Sequence, residues 1–290
     1  MNSSRRDFIK QSTLVSAAFF ISREEFFKGK TPIGVQLYTL RGDMGKDPKG
    51  TLEKVAKLGY KQVETFGYNN GKWFGMTPAE LKKVLEDNGL TSPSGHTFPG
   101  GMFLKDGWED NWKKAVEDSK ALGQKFIVIP YVMEPDRKPI DNYKKIAAGL
   151  NKAAGICKEV GGIQLAYHNH DFEFAEDNGQ TGFDILMKET DPSVKMELDL
   201  FWAVKAGKNP IDLFKAHPGR FAMWHVKDMD KTEKKSFTEV GNGVIDFKSI
   251  FAKAKQSGMK YFFVEQDVCP GPPIESIAKS IDYLQKNIVK

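Results

Sequence analysis

Cysteine is nearly absent from this chain, which contains only Cys157 and Cys269 in 290 residues. The two are far apart in sequence and form no C-x-x-C pair, so a disulfide framework is excluded. Cys157 lies in a helical pattern, and we therefore expect two free, largely buried thiols. A single bridge between the two cysteines is the alternative.

Long apolar runs and arginine-rich runs are also missing. No stretch is long enough to cross a bilayer, so we expect no stable membrane anchor. The net charge is +5, but the lysines are scattered along helical patterns, often beside glutamates. This distribution favours a solvated helical surface over a nucleic-acid-binding face. The length allows one large α/β domain or two small ones.

Nucleotide-binding motifs are absent as well: no G-x-G-x-x-G follows the first apolar run and no P-loop occurs. What the chain does contain is a regular alternation of short runs rich in Val, Ile, Phe and Tyr with amphipathic segments. Eight such strand–helix units, with no linker between them, predict a single α/β domain, a (β/α)8 TIM barrel over residues 29–290. The predicted strands are 33–40, 61–66, 91–98, 125–131, 163–170, 194–200, 221–228 and 261–267.

Capping residues mark the ends of the first two helices of this domain. Asp47 and Pro48 open one amphipathic segment, which closes on Gly59. Thr77 and Pro78 open the next in the same way. These signals predict where two of the helices begin.

The first 28 residues carry a different pattern. The segment SRRDFIK, residues 4–10, resembles the twin-arginine export signal, and a short, weakly apolar stretch follows it. An amphipathic N-terminal helix is the alternative, because the apolar region is short and no clean cleavage site follows. We expect a periplasmic or otherwise exported protein, or a cytoplasmic one if the signal does not function.

Four of the five histidines fall at the carboxyl ends of predicted strands, where TIM barrels hold their active sites. The fifth, His217, precedes strand 7 and is expected to be structural or exposed. The clustering of the others at one rim predicts a functional site there. These four are His96, His168, His170 and His225.

Alternation along the last three strands indicates a metal site. Asp199, His225 and Glu265 each fall on the inward-facing side near a strand end. Two carboxylates and an imidazole suit one divalent ion, either Mn²⁺, Co²⁺, Zn²⁺ or Mg²⁺. Separate ion pairs are the alternative, but three buried polar groups at one level favour a metal.

Other residues at this rim are candidates for substrate contact. For Glu64 the alternative is a salt bridge to a lysine, and for His96 it is a hydrogen-bonded core histidine. Trp202 and Trp224 could form an apolar sugar platform or pack between strand and helix. No arginine cluster occurs, so a phosphorylated substrate is not especially favoured. The substrate-binding candidates are Gln36, Tyr38, Glu64, His96 and Trp202.

Motifs spread over residues 31–290 resemble those of the xylose isomerase-like TIM barrels, a family of sugar phosphate isomerases and epimerases. Members bind one divalent metal through ligands at the ends of strands 5 to 8, commonly Glu, Asp, His and Glu. The resemblance implies Asp199, His225 and Glu265 as three ligands. Strand 5 departs from the pattern, and His168 is its nearest inward candidate. The motifs are VQLYTLR, GYKQVETFG, YHNHDFEF, ELDLFW, WHVKD, VGNGVIDF and VEQD.

The resemblance implies a sugar isomerase or epimerase that abstracts a proton next to a carbonyl through a metal-stabilised enediolate. Epimerases use two metal-bound carboxylates, so an imidazole on strand 5 raises the alternative of a keto-sugar or keto-glycoside lyase, a hydratase or an inosose-type dehydratase. Glu265 or Glu173 is the expected base. His170 or Lys227 is the expected acid.

Two further function classes fit less well. A non-catalytic sugar-binding barrel is possible if the chemistry is lost at strand 5. An endonuclease IV-like enzyme needs three zinc ions, more histidines and a strongly basic groove. We therefore expect a small-molecule sugar or keto-sugar as partner, no nucleic acid, and a possible homo-oligomer.

Overall fold

The computed structural model describes residues 31–289, so the predicted signal segment at residues 1–28 lies outside the described residues. Eight parallel strands close into one barrel, in which strands follow one another in sequence order and the last pairs with the first. This confirms the predicted (β/α)8 barrel. The strands are β1 (Gly34–Gln36), β2 (Gln62–Thr65), β3 (Thr91–His96), β4 (Phe126–Ile129), β5 (Gln164–His168), β6 (Lys195–Asp199), β7 (Phe221–Val226) and β8 (Tyr261–Val264).

Helices connect the strands. Asp47 caps the helix Pro48–Lys57 (α2), and Thr77 forms a capping box with Glu80 at the start of the helix Pro78–Asp87 (α3). Gly59, just after α2, has a φ of 102°, which glycine adopts without strain. The helices are α1 (Arg41–Lys46), α2 (Pro48–Lys57), α3 (Pro78–Asp87), α4 (Glu109–Leu122), α5 (Asn142–Val160), α6 (Gly182–Glu189), α7 (Leu200–Lys205), α8 (Pro210–Ala216), α9 (Phe247–Phe251), α10 (Ala254–Ser257) and α11 (Pro273–Asn287).

The strands are shorter than the apolar runs that predict them, because the chain turns once it leaves the sheet. In the first run, Leu37–Leu40 form a 3-10 turn that the Gln36 side chain caps. Two loops also contain short hairpins that the sequence pattern did not predict. They are Glu176–Asp177 with Gln180–Thr181, and Asp228–Met229 with Phe237–Thr238.

Apolar side chains fill the interior of the barrel below its carboxyl end. They form a cluster separate from the larger core between strands and helices. Polar residues further along the same inward faces therefore lie above this cluster, towards the carboxyl end of the barrel. The interior cluster is Phe126, Val128, Ala166, Ala222, Met223 and Phe263.

Both cysteines are free thiols, as predicted, with Cys157 buried and Cys269 half-buried. Within residues 31–289, no helix combines the length and the apolar character needed to cross a membrane.

The loop after β7 is fastened to α11 through Glu239. This buried carboxylate lies 3.0 Å from Lys279 Nζ and 3.2 Å from the Asn242 side-chain nitrogen. Burial by itself raises the pKa of Glu239, but these contacts outweigh it and lower the pKa to about 2.

We expect Glu239 to make folding sensitive to acid. Because its pKa is lower in the folded chain than its usual 4.5, its contribution is present above that value and is lost as the pH falls towards 2. As the pH is lowered from about 5 to about 2, the Tm of Glu239→Gln should therefore fall less than the Tm of the wild type. An equal loss in both proteins would contradict this role.

Candidate metal centre and active site

The carboxyl ends of the strands surround a pocket of about 620 Å³. Histidine rings from three strands meet beside it: ring centroids of His168 and His225 lie 4.5 Å apart, and those of His96 and His168 lie 5.1 Å apart. His217 lies elsewhere, against Phe221 at the start of β7. The polar side chains that line the pocket include His96, His168, His170, Lys227, Glu265 and Asp267.

His225 lies at the centre of the site, fully buried among carboxylates. Its Nδ1 is 2.7 Å from Glu265 Oε2, while its Nε2 is 2.6 Å from Glu64 Oε2 and 3.3 Å from Glu197 Oε2. Burial by itself lowers the pKa of an imidazole, but these carboxylates raise the pKa of His225 well above its usual value. The His225 ring therefore connects Glu265, which lines the pocket, with Glu64 and Glu197, which lie deeper in the barrel.

Lys227 places a buried ammonium group among three carboxylates. Its Nζ lies 2.9 Å from Asp199 Oδ2 and 2.8 Å from both Glu265 Oε2 and Asp267 Oδ2. Burial by itself lowers the pKa of a lysine, but these neighbours raise the pKa of Lys227 well above its usual value. The ammonium group balances part of their negative charge.

Asp199 and Glu265 respond differently to this environment. Burial raises the pKa of Asp199 to about 6, although Lys227 opposes the rise. Burial also acts to raise the pKa of Glu265, but Lys227 and His225 outweigh it and lower that pKa well below its usual value. Asp199 Oδ2 receives no hydrogen bond, despite its distance of 2.9 Å from Lys227 Nζ. This oxygen is ion-paired with Lys227 but is not saturated by hydrogen bonds, and a carboxylate oxygen is also a ligand type for divalent cations.

The predicted metal ligands are brought together. Asp199, His225 and Glu265 are buried and offer donor atoms within 4.8 Å of one another. His168 turns Nε2 towards Asp199, 3.9 Å from Oδ2. Burial lowers the pKa of His168 to about 3, so its ring keeps a nitrogen lone pair near neutral pH. These residues fit a divalent metal ion.

Two predicted substrate contacts lie beneath the pocket instead of on its surface. Glu64 is fully buried and accepts hydrogen bonds from Gln36 Nε2 at 2.8 Å and Ser94 Oγ at 2.5 Å. Gln36 is fully buried too. Because both side chains are satisfied one layer below the rim, the structure corrects the expectation that they touch substrate.

Glu197 belongs to the site although no role was predicted for it. Its fully buried Oε2 lies 2.7 Å from His96 Nε2 and 3.1 Å from His168 Nδ1. The signal was its position on the same inward face of β6 as Asp199. With His96, His168 and His225, it forms a second buried group whose donor atoms lie within 4.8 Å.

Glu173, a predicted base, faces away from the pocket. Its carboxylate accepts hydrogen bonds from the Tyr167 hydroxyl at 2.6 Å and from the His170 N–H at 2.7 Å. Tyr167 packs in the core between strands and helices, and the 3-10 turn Phe172–Phe174 carries Glu173 to that side. Burial raises the pKa of Glu173 to about 7. The residue therefore anchors the loop after β5 and is not among the residues that line the pocket, contrary to the expectation for a base.

His170 does face the pocket. Its ring stacks on Phe172 and meets Tyr131 edge-on, with centroid distances of 5.3 and 4.9 Å. Burial lowers the pKa of His170 well below its usual value, and its buried Nδ1 has no hydrogen-bond partner. This nitrogen is a polar group available to a ligand.

The aromatic candidates divide into pocket and core residues. Tyr38 lines the pocket and is 41% exposed. Trp202 stands behind His170, with ring centroids 5.5 Å apart. Trp224 stacks on Phe214 in the outer core, so it is not a sugar platform.

Comparison with known proteins decides the family. A model of the xylose isomerase-like TIM barrel family matches residues 52–287. This chain belongs to the xylose isomerase-like TIM barrel family. The family resemblance of the motifs is therefore confirmed.

Several known proteins are similar to this chain over most of their length. An inosose dehydratase from Geobacillus kaustophilus is 26% identical, covering 81% of this chain and 85% of the relative. One from Lacticaseibacillus casei is 29% identical, covering 83% and 91%. The crystal structure of a sugar phosphate isomerase/epimerase from Parabacteroides distasonis is 28% identical, with a TM-score of 0.78, covering 90% of this chain and 99% of that one. These similarities support an enzyme of a sugar-modifying family.

Proposed function

We propose that this chain is a divalent-metal-dependent dehydratase that removes water from a polyol ketone of the inosose class. The observation that carries the proposal is the strand-5 position. There β5 presents His168, whereas a two-carboxylate epimerase needs a second carboxylate. The names of the G. kaustophilus and L. casei relatives agree with a dehydratase. Isomerisation or epimerisation, which the motifs alone suggested first, becomes the alternative.

Dehydration next to a ketone needs one base. A divalent ion held by His168, Asp199, His225 and Glu265 would supply positive charge beside the ketone oxygen. Glu265 takes the proton from the carbon next to the ketone. The electron pair of that C–H bond forms a C=C bond as the neighbouring C–O bond breaks.

Lys227 donates the proton that turns the departing hydroxide into water. Lys227 lines the pocket, and its Nζ lies 2.8 Å from Glu265 Oε2. Once Glu265 is protonated, Lys227 has one negative charge fewer beside it, and its ammonium group becomes more acidic. The proton on Glu265 then returns to Lys227 across the same contact, so both side chains recover their starting states.

His170 orients the substrate in this scheme. Its unpartnered Nδ1 is placed to hydrogen-bond a polyol hydroxyl. Tyr38 offers an exposed ring at the rim, on which the apolar face of a cyclic polyol can lie.

The test is product analysis in D₂O after incubation of the Mn²⁺- or Co²⁺-loaded protein with an inosose. We expect the substrate to lose one water, a chelator to abolish the reaction, and added Mn²⁺ or Co²⁺ to restore it. Deuterium in an otherwise intact substrate would instead support isomerisation or epimerisation. Water loss in fully chelated protein would contradict the role of the metal.

We also propose that the protein acts outside the cytoplasm. The support is the twin-arginine-type segment SRRDFIK at residues 4–10. That route carries folded proteins, which suits a protein that takes up its metal before crossing the membrane.

A further inference from the structure

Two carboxylates lie one layer below the pocket, and the scheme above gives them no task. Glu64 on β2 and Glu197 on β6 are both fully buried, and we call them the deep carboxylate pair. Glu64 is held by Gln36 Nε2 and Ser94 Oγ, at 2.8 and 2.5 Å. A buried carboxylate is unfavourable unless it is hydrogen-bonded or paired, so its placement here needs an explanation.

Each carboxylate of the pair lies closest to a different one of the two proposed ligand histidines, although Glu197 Oε2 is also 3.3 Å from His225 Nε2. Glu64 Oε2 is 2.6 Å from His225 Nε2, and the other nitrogen of that ring, Nδ1, faces Glu265. Glu197 Oε2 is 3.1 Å from His168 Nδ1, and Nε2 of that ring faces Asp199. In both rings, one nitrogen meets a deep carboxylate and the other meets the proposed metal site.

We propose that Glu64 and Glu197 are positioning residues that fix the tautomers of the two ligand histidines. His225 donates Nε2–H to Glu64, so Nδ1, on the side of Glu265, is the nitrogen that gives up its proton and binds the metal. His168 donates Nδ1–H to Glu197, which leaves the Nε2 lone pair towards it. A carboxylate on the second nitrogen also makes the ligand nitrogen more basic. The inference rests on the metal ion of the proposed function.

The arrangement of Glu197 allows one other interpretation. The same Oε2 also lies 2.7 Å from His96 Nε2, and Oε1 has no partner. In that interpretation, a second cation lies among Glu197, His96, His168 and His225. However, the 2.6, 2.7 and 3.1 Å separations are ordinary for ring N–H groups donating to carboxylates, and they explain the layer without an ion. The two interpretations differ in metal stoichiometry.

The first measurement needs no variant. Long-range ¹H–¹⁵N NMR of the Zn²⁺-loaded wild-type protein reports which nitrogen of each histidine carries a proton and which binds metal. We expect one zinc per chain, bound by His225 through Nδ1 and by His168 through Nε2. The opposite nitrogens, a second zinc, or no bound zinc would each overturn the inference.

The second measurement uses Glu64→Gln and Glu197→Gln, which keep the side-chain size but remove the charge. We expect each to weaken Zn²⁺ binding by about 10- to 100-fold in competition titrations, with disturbed histidine signals. Glu239→Gln is the matched control, because Glu239 is equally a buried, paired carboxylate but lies away from the histidines. Its Zn²⁺ affinity should equal that of the wild type.

Unchanged affinity in both variants would reduce the deep carboxylate pair to a structural role. Thermal unfolding of the chelated variants shows whether they still fold, so that a loss of Zn²⁺ affinity can be distinguished from a loss of folding. None of these measurements uses a substrate. A protein with the expected tautomers that fails to dehydrate an inosose would therefore contradict the proposed function and leave this inference standing.

Discussion

An Asp199→Asn chain is expected to lose its bound divalent metal and to fall by roughly 10³-fold or more in kcat/KM for inosose dehydration. The two oxygens of Asp199 have separate tasks. Oδ1 accepts a hydrogen bond from the Trp202 N–H at 3.0 Å and caps α7. Oδ2 faces the site, near Lys227 and His225. Asparagine can keep the cap but removes the negative charge.

The prediction is therefore specific to the metal. Tm of the chelated Asp199→Asn protein should stay close to that of the chelated wild type, whereas Asp199→Ala should also lose about 1 kcal/mol of capping free energy. Asp246→Asn is the matched control, because Asp246 caps α9 through Ser249 in the same way and is exposed. Metal analysis of purified Asp199→Asn that matched the wild type would show that Asp199 is not a ligand.

Lys227→Met is expected to destabilise the chelated protein by about 3–5 kcal/mol, because it leaves a buried carboxylate cluster without its cation. In thermal unfolding this corresponds to a fall in Tm on the order of 10 °C. Saturating Mn²⁺ should raise the Tm of Lys227→Met more than that of the wild type. The reason is that Asp199 and Glu265 would hold both the ion and the ammonium group, so in the variant the ion supplies the positive charge that the substitution removes. Dehydration should be lost in the variant even with metal bound, because the proton donor is gone.

Lys279→Met is the control for removal of a paired lysine. Lys279 also contacts a buried carboxylate, Glu239, but its side chain is 61% exposed. Its loss should change the Tm much less than the loss of Lys227 does, because solvent screens an exposed ion pair, and should leave the response to Mn²⁺ unchanged. Equal effects of the two substitutions would contradict the view that Lys227 balances a metal-binding cluster.

Much of the barrel follows from local sequence. The helix starts at Asp47–Pro48 and Thr77–Pro78 depend on capping contacts within one turn. They can therefore be predicted from neighbouring residues without the tertiary structure. Eight runs of β-forming residues separated by helices leave few alternatives to a parallel barrel. Alternation then determines which side of a strand is inward, which is why Asp199, His225 and Glu265 were correctly expected to converge.

The depth of a side chain and its partners across the barrel were decided by the tertiary structure. Alternation gives the face of a strand but not the layer, which depends on register and strand tilt around the closed barrel. Glu64 therefore meets His225, 161 residues away in sequence, beneath the pocket instead of at its surface. Glu173 turns outward to Tyr167 because a 3-10 turn ends the strand pattern. The sequence by itself determined the barrel and the residue types at its rim, while packing around the closed sheet decided which polar residues face the pocket and which lie beneath it.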